Sequence, residues 1–203
     1  MPTIFSHAIA ATAAAQRWRR MPLRFWIWTI GCSMLPDIDV ISFAFGIRYE
    51  DMFGHRGFTH SFFFAALAGA VAAFATHRPA SDVHQPVSDL HGPGEACAHR
   101  PASAVRLFVW FTVVTASHGL LDAMTNGGRG IAFFAPFSNH RYFFPWRPIQ
   151  VSPIGAGFFS PRGLLVLASE SVWIWLPSAI IAASARMFEG RPKGRPLRAS
   201  VRR

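Results

Sequence analysis

The sequence predicts an all-α protein, an integral membrane helical bundle with about four to five membrane-embedded helices. Three observations predict this fold class. Hydrophobic residues fill 51% of the 203 positions. Charged residues fill only 15%, against ~25% in a typical soluble domain. The chain also contains 20 Phe and 7 Trp, which suits helices that face lipid. At this length one folding unit is expected.

Five apolar stretches divide the chain. Three of them approach the ~20 residues that cross ~30 Å of hydrocarbon, although one of these needs polar residues beyond Ala116 to reach that length. The first two are shorter, and we expect them to be tilted, re-entrant or shielded by the others. Together they predict a membrane-embedded helical domain over residues 1–185. In chain order the stretches are residues 4–18, 25–35, 58–76, 105–116 and 163–185.

Two polar segments are predicted to lie in the cytoplasm. Residues 77–104 are rich in Pro, Ser, Gly, Ala and His without an apolar period, which predicts a disordered loop. Residues 186–203 form a basic tail. Because this tail begins at a membrane helix, we expect it to bind anionic lipid headgroups and not nucleic acid.

The distribution of basic residues predicts the orientation. If the stretches alternate across the membrane, 14 of the 20 basic residues lie on one side. Cytoplasmic loops carry the excess of Lys and Arg, so the N-terminus is expected outside and the C-terminus in the cytoplasm. The single lysine, Lys193, follows no Gly-rich loop, which excludes P-loop and Schiff-base chemistry. Two cysteines, Cys32 and Cys97, are too few for a disulfide scaffold.

Two aspartates follow the second apolar stretch. Asp37 and Asp39 lie in a Pro-Asp-Ile-Asp sequence, and Pro36 is expected to end the preceding helix. The spacing offers two carboxylates from one loop as hard oxygen ligands for a metal. Taken alone, the pair is slightly better explained as helix-capping or solvated aspartates.

Two histidines stand at the entrance to the third stretch. Five residues of regular helix would leave His55 and His60 ~140° apart, so they converge only if Gly57 breaks the chain and the helix starts near Thr59. The alternative is a wet histidine pair at the membrane interface. Arg56 between them makes that alternative less favoured, because a guanidinium suits a phosphate or a carboxylate.

Three further polar residues lie at apolar helix ends. His118 and Asp122 are four residues apart, so both share one helix face. A hydrogen-bonded pair that stabilises the bundle is the alternative. His7 lies in the first turn of the opening stretch, where alone it would be an ordinary interface histidine. Glu170, midway along the last stretch, is expected to pair with a basic residue or to stay protonated.

The predicted topology places these histidines and aspartates at the outer ends of their helices. The charge rule used none of them, so their convergence is an independent argument for one site. Four histidines and three carboxylates suit a borderline divalent metal, expected to be Zn²⁺ as one or two ions, with positions left for water. The expected ligands are His7, Asp37, His55, His60, His118 and Asp122.

Six blocks of the sequence occur together in one known family. They are residues 1–7, 36–39, 55–61, His118 to Asp122 with Thr125 and Gly127, 136–138 and 142–149. In combination they resemble the bacterial family of LexA-regulated, membrane-bound metal-dependent hydrolases. The likeness extends over roughly residues 1 to 185 and implies an integral inner-membrane protein with a metal-dependent hydrolase activity.

The leading hypothesis is hydrolysis by metal-activated water, on a lipid or phosphoester at the outer membrane–water interface. Asp39 would bridge two metals or orient a ligand histidine, and Arg56 would contact the anionic part of the substrate. The first alternative is a non-enzymatic divalent-metal-binding protein, either a transporter or a regulator. Transporter sites usually lie near the bilayer midplane, whereas these residues lie at one end. The second is a structural protein whose polar residues pin helix ends.

Overall fold

Helices make up the regular structure of the described chain, beside two isolated β-bridges. The computed structural model describes residues 1–77, 102–153 and 155–189. Short 3-10 segments extend or precede several helices, and a π-helical turn, Ser171–Trp175, joins the last two. The α-helices are α1 (Ile4–Ala14), α2 (Leu23–Met34), α3 (Phe62–Thr76), α4 (Ala104–Ala123), α5 (Pro161–Glu170) and α6 (Leu176–Glu189).

Three helical runs are long and apolar enough to cross a membrane. They are Leu23–Phe45, Ala104–Ala123 and Pro161–Met187, with 23, 20 and 27 residues. The shorter apolar helix α3 has 15 residues and is about 22 Å long, less than the ~30 Å of hydrocarbon. The predicted all-α membrane bundle is confirmed. The helix of the third stretch begins at Phe62 and not at residue 58, because a 3-10 turn and Ser61 precede it.

The α-helix ends before Pro36 as expected, but the loop expected for Asp37 and Asp39 was wrong, because the chain stays helical. The α-helix stops at Met34, but the chain continues as a 3-10 helix, Leu35–Phe45, with Pro36 in its first turn. Proline lacks an N–H and clashes with the carbonyl four residues earlier, yet it is tolerated in the first turn of a helical segment. The result is a run of 23 residues that carries Asp37 and Asp39 on helical backbone.

Aromatic and small residues pack the part of the bundle near the start of α4. Phe25 of α2 and Phe111 of α4 are both fully buried, with ring centroids 5.6 Å apart. Trp110 Nε1 donates a hydrogen bond of 3.1 Å to Thr29 Oγ1 and links the same two helices. Large apolar side chains cover the outer faces, and Phe74 is 88% exposed. Such faces suit contact with lipid tails.

The segment between α4 and α5 folds over one end of the bundle. Two isolated bridges shape it, Thr125 with Ile149 and Ile131 with Tyr142. Its backbone is tied to the start of α3, since Phe62 N–H donates to the Phe133 carbonyl at 3.0 Å. This end of the bundle is where the predicted site residues lie.

Most of the two predicted cytoplasmic segments falls outside the described residues. The structure does not describe residues 78–101 of the loop or residues 190–203 of the tail, and α6 continues to Glu189. Loop disorder and headgroup binding by the tail therefore stay predictions.

Candidate metal centre

Four of the six expected ligands form one compact group. Asp37, His60, His118 and Asp122 each offer one ligand atom, and these four atoms lie within 4.8 Å of one another. All four residues are buried. They come from the 3-10 segment after α2, the 3-10 turn before α3, and the last turns of α4. These four residues thus converge as predicted, although Asp37 lies within the Leu23–Phe45 run and not at its end.

The distances within this group suit a single ion. His118 Nε2 lies 3.2 Å from Asp37 Oδ1, His60 Nε2 lies 3.6 Å from Asp122 Oδ2, and His60 Nε2 lies 3.9 Å from Asp37 Oδ1. Tetrahedral ligands at the usual Zn–N and Zn–O distances are separated by about 3.3 Å. Small side-chain movements would therefore bring the four atoms to a common ion.

The group is also rich in buried polar atoms without a hydrogen-bond partner among the described residues. They include both oxygens of Asp37 and Asp122, Nε2 of His60 and His118, and both ring nitrogens of His7. Leaving one such atom unpaired costs about 1–3 kcal/mol. A bound cation would provide the missing partner for these oxygen and nitrogen lone pairs.

The backbone of α2 and the small residue Gly119 position His118. Its Nδ1–H donates to the Ser33 carbonyl at 2.7 Å, which leaves the Nε2 lone pair facing Asp37. A Cβ on Gly119 would lie 3.0 Å from the His60 carbonyl oxygen, so glycine lets α4 approach the turn that carries His60. The rings of His60 and His118 are 4.8 Å apart.

Asp39 orients two histidines from behind. Its Oδ1 lies 2.6 Å from His55 Nδ1, and its Oδ2 lies 3.1 Å from His60 Nδ1. Thr59 Oγ1 and the Arg56 backbone N–H also donate to Oδ2, at 2.7 and 3.0 Å. A carboxylate in this position sets the tautomer and the ring angle of a metal-binding histidine. Of the two roles expected for Asp39, this geometry matches the orienting one.

The loop before His60 wraps tightly around Asp39. Arg56 has a φ of +64°, which costs a non-glycine residue about 1–3 kcal/mol. A Cβ on Gly57 would lie 2.1 Å from the Met52 carbonyl oxygen, so only glycine fits there. The hydrogen bond from the Arg56 N–H to Asp39 offsets part of the strain. His55 and His60 converge as predicted, with ring centroids 5.8 Å apart.

Arg56 points into the site. Its side chain is fully buried, with Nε 3.1 Å from Asp122 Oδ2. Its two terminal nitrogens donate to the Gly127 carbonyl at 2.9 Å and to Thr125 Oγ1 at 3.0 Å. A substrate anion would reach the guanidinium only by displacing these partners. The expected contact with substrate stays a prediction, and the structure gives Arg56 a second task, which is to hold Asp122.

His7 lies beside the four-residue group, and its ring stacks on that of His118. The two ring centroids are 3.7 Å apart, and His7 Nε2 lies 3.4 Å from Asp122 Oδ1. His55 is not in the four-residue group and contacts Asp39, with its Nδ1 2.6 Å from Asp39 Oδ1. Both remain predicted ligands, for a further coordination position or for a second ion.

Glu170 has a role that the sequence reasoning missed, since its partners are hydroxyls and a backbone N–H and not a basic residue. Thr3 Oγ1 and Ser6 Oγ each donate to Glu170 Oε2 at 2.7 Å, and the Thr3 N–H donates to Oε1. The carboxylate therefore caps the N-terminus of α1, where the helix dipole favours negative charge. Ser6 also accepts a hydrogen bond from Trp175 Nε1 at 2.7 Å. This capping holds His7 one turn away.

The electrostatics of the centre favour a bound cation. Burial lowers the pKa of His60, but the nearby carboxylates of Asp122 and Asp39 outweigh burial and raise that pKa to about 9. A metal that binds His60 Nε2 displaces the proton from this ring. With neutral histidines, three carboxylates (Asp37, Asp39 and Asp122) and one guanidinium (Arg56) then leave two negative charges. One divalent ion would balance them.

These features define a class of protein, a multi-pass membrane bundle with a buried His–Asp group at one end that could hold a metal ion. The chain belongs to the YdjM inner membrane protein family, whose sequence profile matches residues 1–191. It is 34% identical over 184 residues to the inner membrane protein YbcI of Escherichia coli strain K12. The match covers 89% of this chain and 95% of that relative. No solved structure matches the chain significantly.

The family assignment confirms part of the resemblance seen in the sequence. It supports the inner-membrane location, and the apolar helices support a multi-pass protein. LexA regulation, hydrolase activity, the choice of zinc and the orientation in the membrane stay predictions.

Proposed function

We propose that the protein is a membrane-bound metal-dependent hydrolase that acts on a lipid or phosphoester linkage at the outer membrane–water interface. One observation carries the proposal. Asp37, His60, His118 and Asp122 bring buried ligand atoms, which have no hydrogen-bond partner among the described residues, close to one point inside a membrane bundle. Ionisable groups in such surroundings are costly and commonly mark function.

The chain's own residues provide the surroundings that a catalytic ion requires. A bound divalent ion, zinc by the donor set, would supply a water whose pKa falls from ~15.7 toward ~7 and would polarise the attacked group. Asp39 keeps Nε2 of His60 directed inward, and the Ser33 carbonyl does the same for His118. Arg56 limits the repulsion between the carboxylates by facing Asp122.

The reaction adds one water across the ester linkage. The water oxygen forms a bond to phosphorus or to the acyl carbon. The bond from that centre to the leaving oxygen breaks, and its electron pair stays on the leaving oxygen. The proton lost from water ends on the leaving alcohol. His7 has two unpaired ring nitrogens beside Asp122, so it can either ligate or carry this proton.

A non-enzymatic metal-binding protein, transporter or regulator, is the second candidate. The observation that favours it is the burial of the group inside the protein, since His118 is 1% exposed and Asp122 is fully buried. A structural or sensing ion is commonly enclosed by protein ligands, whereas a catalytic ion keeps an open position.

The test begins with metal content and ends with turnover. Detergent-purified wild type should contain one or two divalent ions per chain, His60→Ala should lose them, and His140→Ala should keep them. His140 is an exposed histidine of the segment after α4, outside the group. Metal-loaded wild type should then hydrolyse members of a panel of lipid phosphoesters in mixed micelles. Full metal occupancy without hydrolysis, together with Asp122-dependent transport of divalent ions into vesicles, would replace the hydrolase by a transporter.

A further inference from the structure

A cavity of about 340 Å³ lies beside the Asp37 edge of the metal centre. The start of the chain forms one wall, and the 3-10 segment after α2 forms another. The third wall comes from the residues just before α5. The lining side chains used in the argument are Ile4, Phe5, Asp37, Val40, Pro153 and Phe158.

The cavity has one polar end and apolar walls. Among the described residues that line it, Asp37 is the one charged side chain. Both oxygens of Asp37 are without a hydrogen-bond partner in the described chain. Asp37 is also the most exposed member of the four-residue group, at 7% against 0–3% for His60, His118 and Asp122. The cavity therefore borders the metal centre at the Asp37 side chain, whose two oxygens are themselves buried.

The other described sides of the centre are covered by protein. The guanidinium of Arg56 lies against Asp122, the ring of His7 covers His118, and Asp39 lies behind His60. A ligand that approaches from the Asp37 side meets none of these groups first. The Asp37 side of the metal centre and the apolar walls thus border one cavity.

We propose that this cavity holds a hydrocarbon chain of a membrane lipid and sets the polar linkage of that lipid against the Asp37 side of the metal centre. The volume is at the lower end of the roughly 300–1,000 Å³ of small-molecule pockets, which fits one chain and not a whole lipid. The lipid source is adjacent, since Phe5 is 66% exposed and Ile41 of the same 3-10 segment is 56% exposed. As a statement about substrate, this rests on the hydrolase proposal.

Binding of an anionic lipid in this cavity should depend on the metal, because the metal changes the charge next to Asp37. The Asp37 carboxylate repels an anionic headgroup in the metal-free protein, whereas a divalent ion at the centre cancels the net negative charge and attracts that headgroup at short range. An alkyl phosphate should therefore enter the cavity with metal bound and enter much less after chelation. A neutral alkyl alcohol of the same chain length should not show this dependence.

The test uses a probe, hexadecyl phosphate with a diazirine near the chain end, on the full-length protein in detergent with zinc. Light should attach the probe to peptides that contain Phe5, Val40 or Phe158. Val40→Trp, which fills the cavity, should lower this labelling at least tenfold. Ile41→Trp adds the same ring on the exposed neighbouring position and should leave the labelling at the wild-type level. Both variants should keep full zinc content, and Val40→Asn serves as a second cavity variant with a small polar side chain.

The outcomes separate the cavity from the reaction. Equal labelling of Val40→Trp, Val40→Asn and wild type at these peptides would overturn the cavity proposal. Labelling as expected, with no phosphoester hydrolysed by metal-loaded protein, would keep the lipid site and remove the hydrolase. Hydrolysis of a short water-soluble phosphoester without labelling of the cavity peptides would keep the hydrolase and remove the lipid site.

Discussion

The carboxylate of Asp39 lies 3.1 Å from Nδ1 of His60 and so leaves Nε2 of that ring directed at Asp37 and Asp122. The same carboxylate binds His55 through its other oxygen at 2.6 Å. One side chain therefore fixes two rings whose sequence separation alone would place them on different faces of a helix. The metal centre depends on this contact as much as on its ligands.

Replacement of Asp39 by Asn should weaken zinc binding about 10- to 100-fold, the usual effect of losing a residue that orients a ligand. Asn offers one carbonyl oxygen and cannot accept from His55, His60, Thr59 and the Arg56 N–H together. Asp37→Asn should lose more, because it removes both a ligand and a charge. Competition with a chromophoric chelator measures both affinities.

Asp51→Asn is the matched control for this pair. Asp51 is partly exposed and pairs with Arg48 at 3.2 Å, so its variant should bind zinc as the wild type does. An equal loss from Asp39→Asn and Asp37→Asn would show that Asp39 is itself a ligand, as in the bridging role.

Replacement of Glu170 by Ala should destabilise the protein by at least about 2 kcal/mol, because hydrogen bonds to a charged group contribute about 1.5–3 kcal/mol each. Three buried donors, two on Thr3 and one on Ser6, would lose their partner. Zinc affinity should also fall, since α1 carries His7. Tryptophan fluorescence during heating measures the Tm.

Ser171→Ala is the control for Glu170, because Ser171 Oγ donates only to the Leu167 carbonyl of its own helical run. A Tm for Glu170→Ala within one degree of that control would refute the capping role.

The orientation can be tested with single cysteines in a Cys32→Ser, Cys97→Ser background. Phe137→Cys lies on the site end, where Phe137 is 83% exposed, and His77→Cys lies just after the far end of α3. If the site faces outward, a membrane-impermeant maleimide should label Phe137→Cys in intact cells and His77→Cys only after lysis. The reverse pattern would place the centre on the cytoplasmic side.

Local spacing was sufficient to predict the group formed by His60, His118 and Asp122. The His118–Asp122 spacing defines a helix face, and the alternation of the stretches across the membrane places these helix ends on one side. The sequence made the convergence of His55 and His60 conditional on a break at Gly57, and the structure explains the need for glycine there by the approach of the Met52 carbonyl.

Other features of the site depend on contacts that spacing does not encode. Glu170 and Thr3 are 167 positions apart, so no periodic pattern links them. The inward direction of Arg56 accompanies a positive φ that side chains rarely adopt, and the sequence predicted a contact with substrate and not with Asp122. The helical segment after Pro36 was not predicted, because a proline that ends an α-helical ladder can also begin a 3-10 segment.

Replacement of Arg56 by Gln separates the inward task of this residue from a contact with substrate. In the wild type Arg56 Nε faces Asp122 Oδ2 at 3.1 Å, and both side chains are fully buried. The variant leaves a buried carboxylate without its partner, which costs about 3–5 kcal/mol in the metal-free protein. Zinc compensates the same carboxylate, so the metal-bound variant should lose much less stability.

The expected result is therefore a larger fall in Tm on chelation for Arg56→Gln than for wild type, with zinc content retained at saturating metal. Arg48→Gln is the control, because Arg48 is exposed and its partner Asp51 lies outside the centre. If Arg56 acted only on substrate, its variant would show the wild-type response to chelation and would lose turnover alone. Measuring Tm with and without chelator on all three proteins decides between the two tasks, because only a partner of Asp122 makes the effect of metal on stability depend on residue 56.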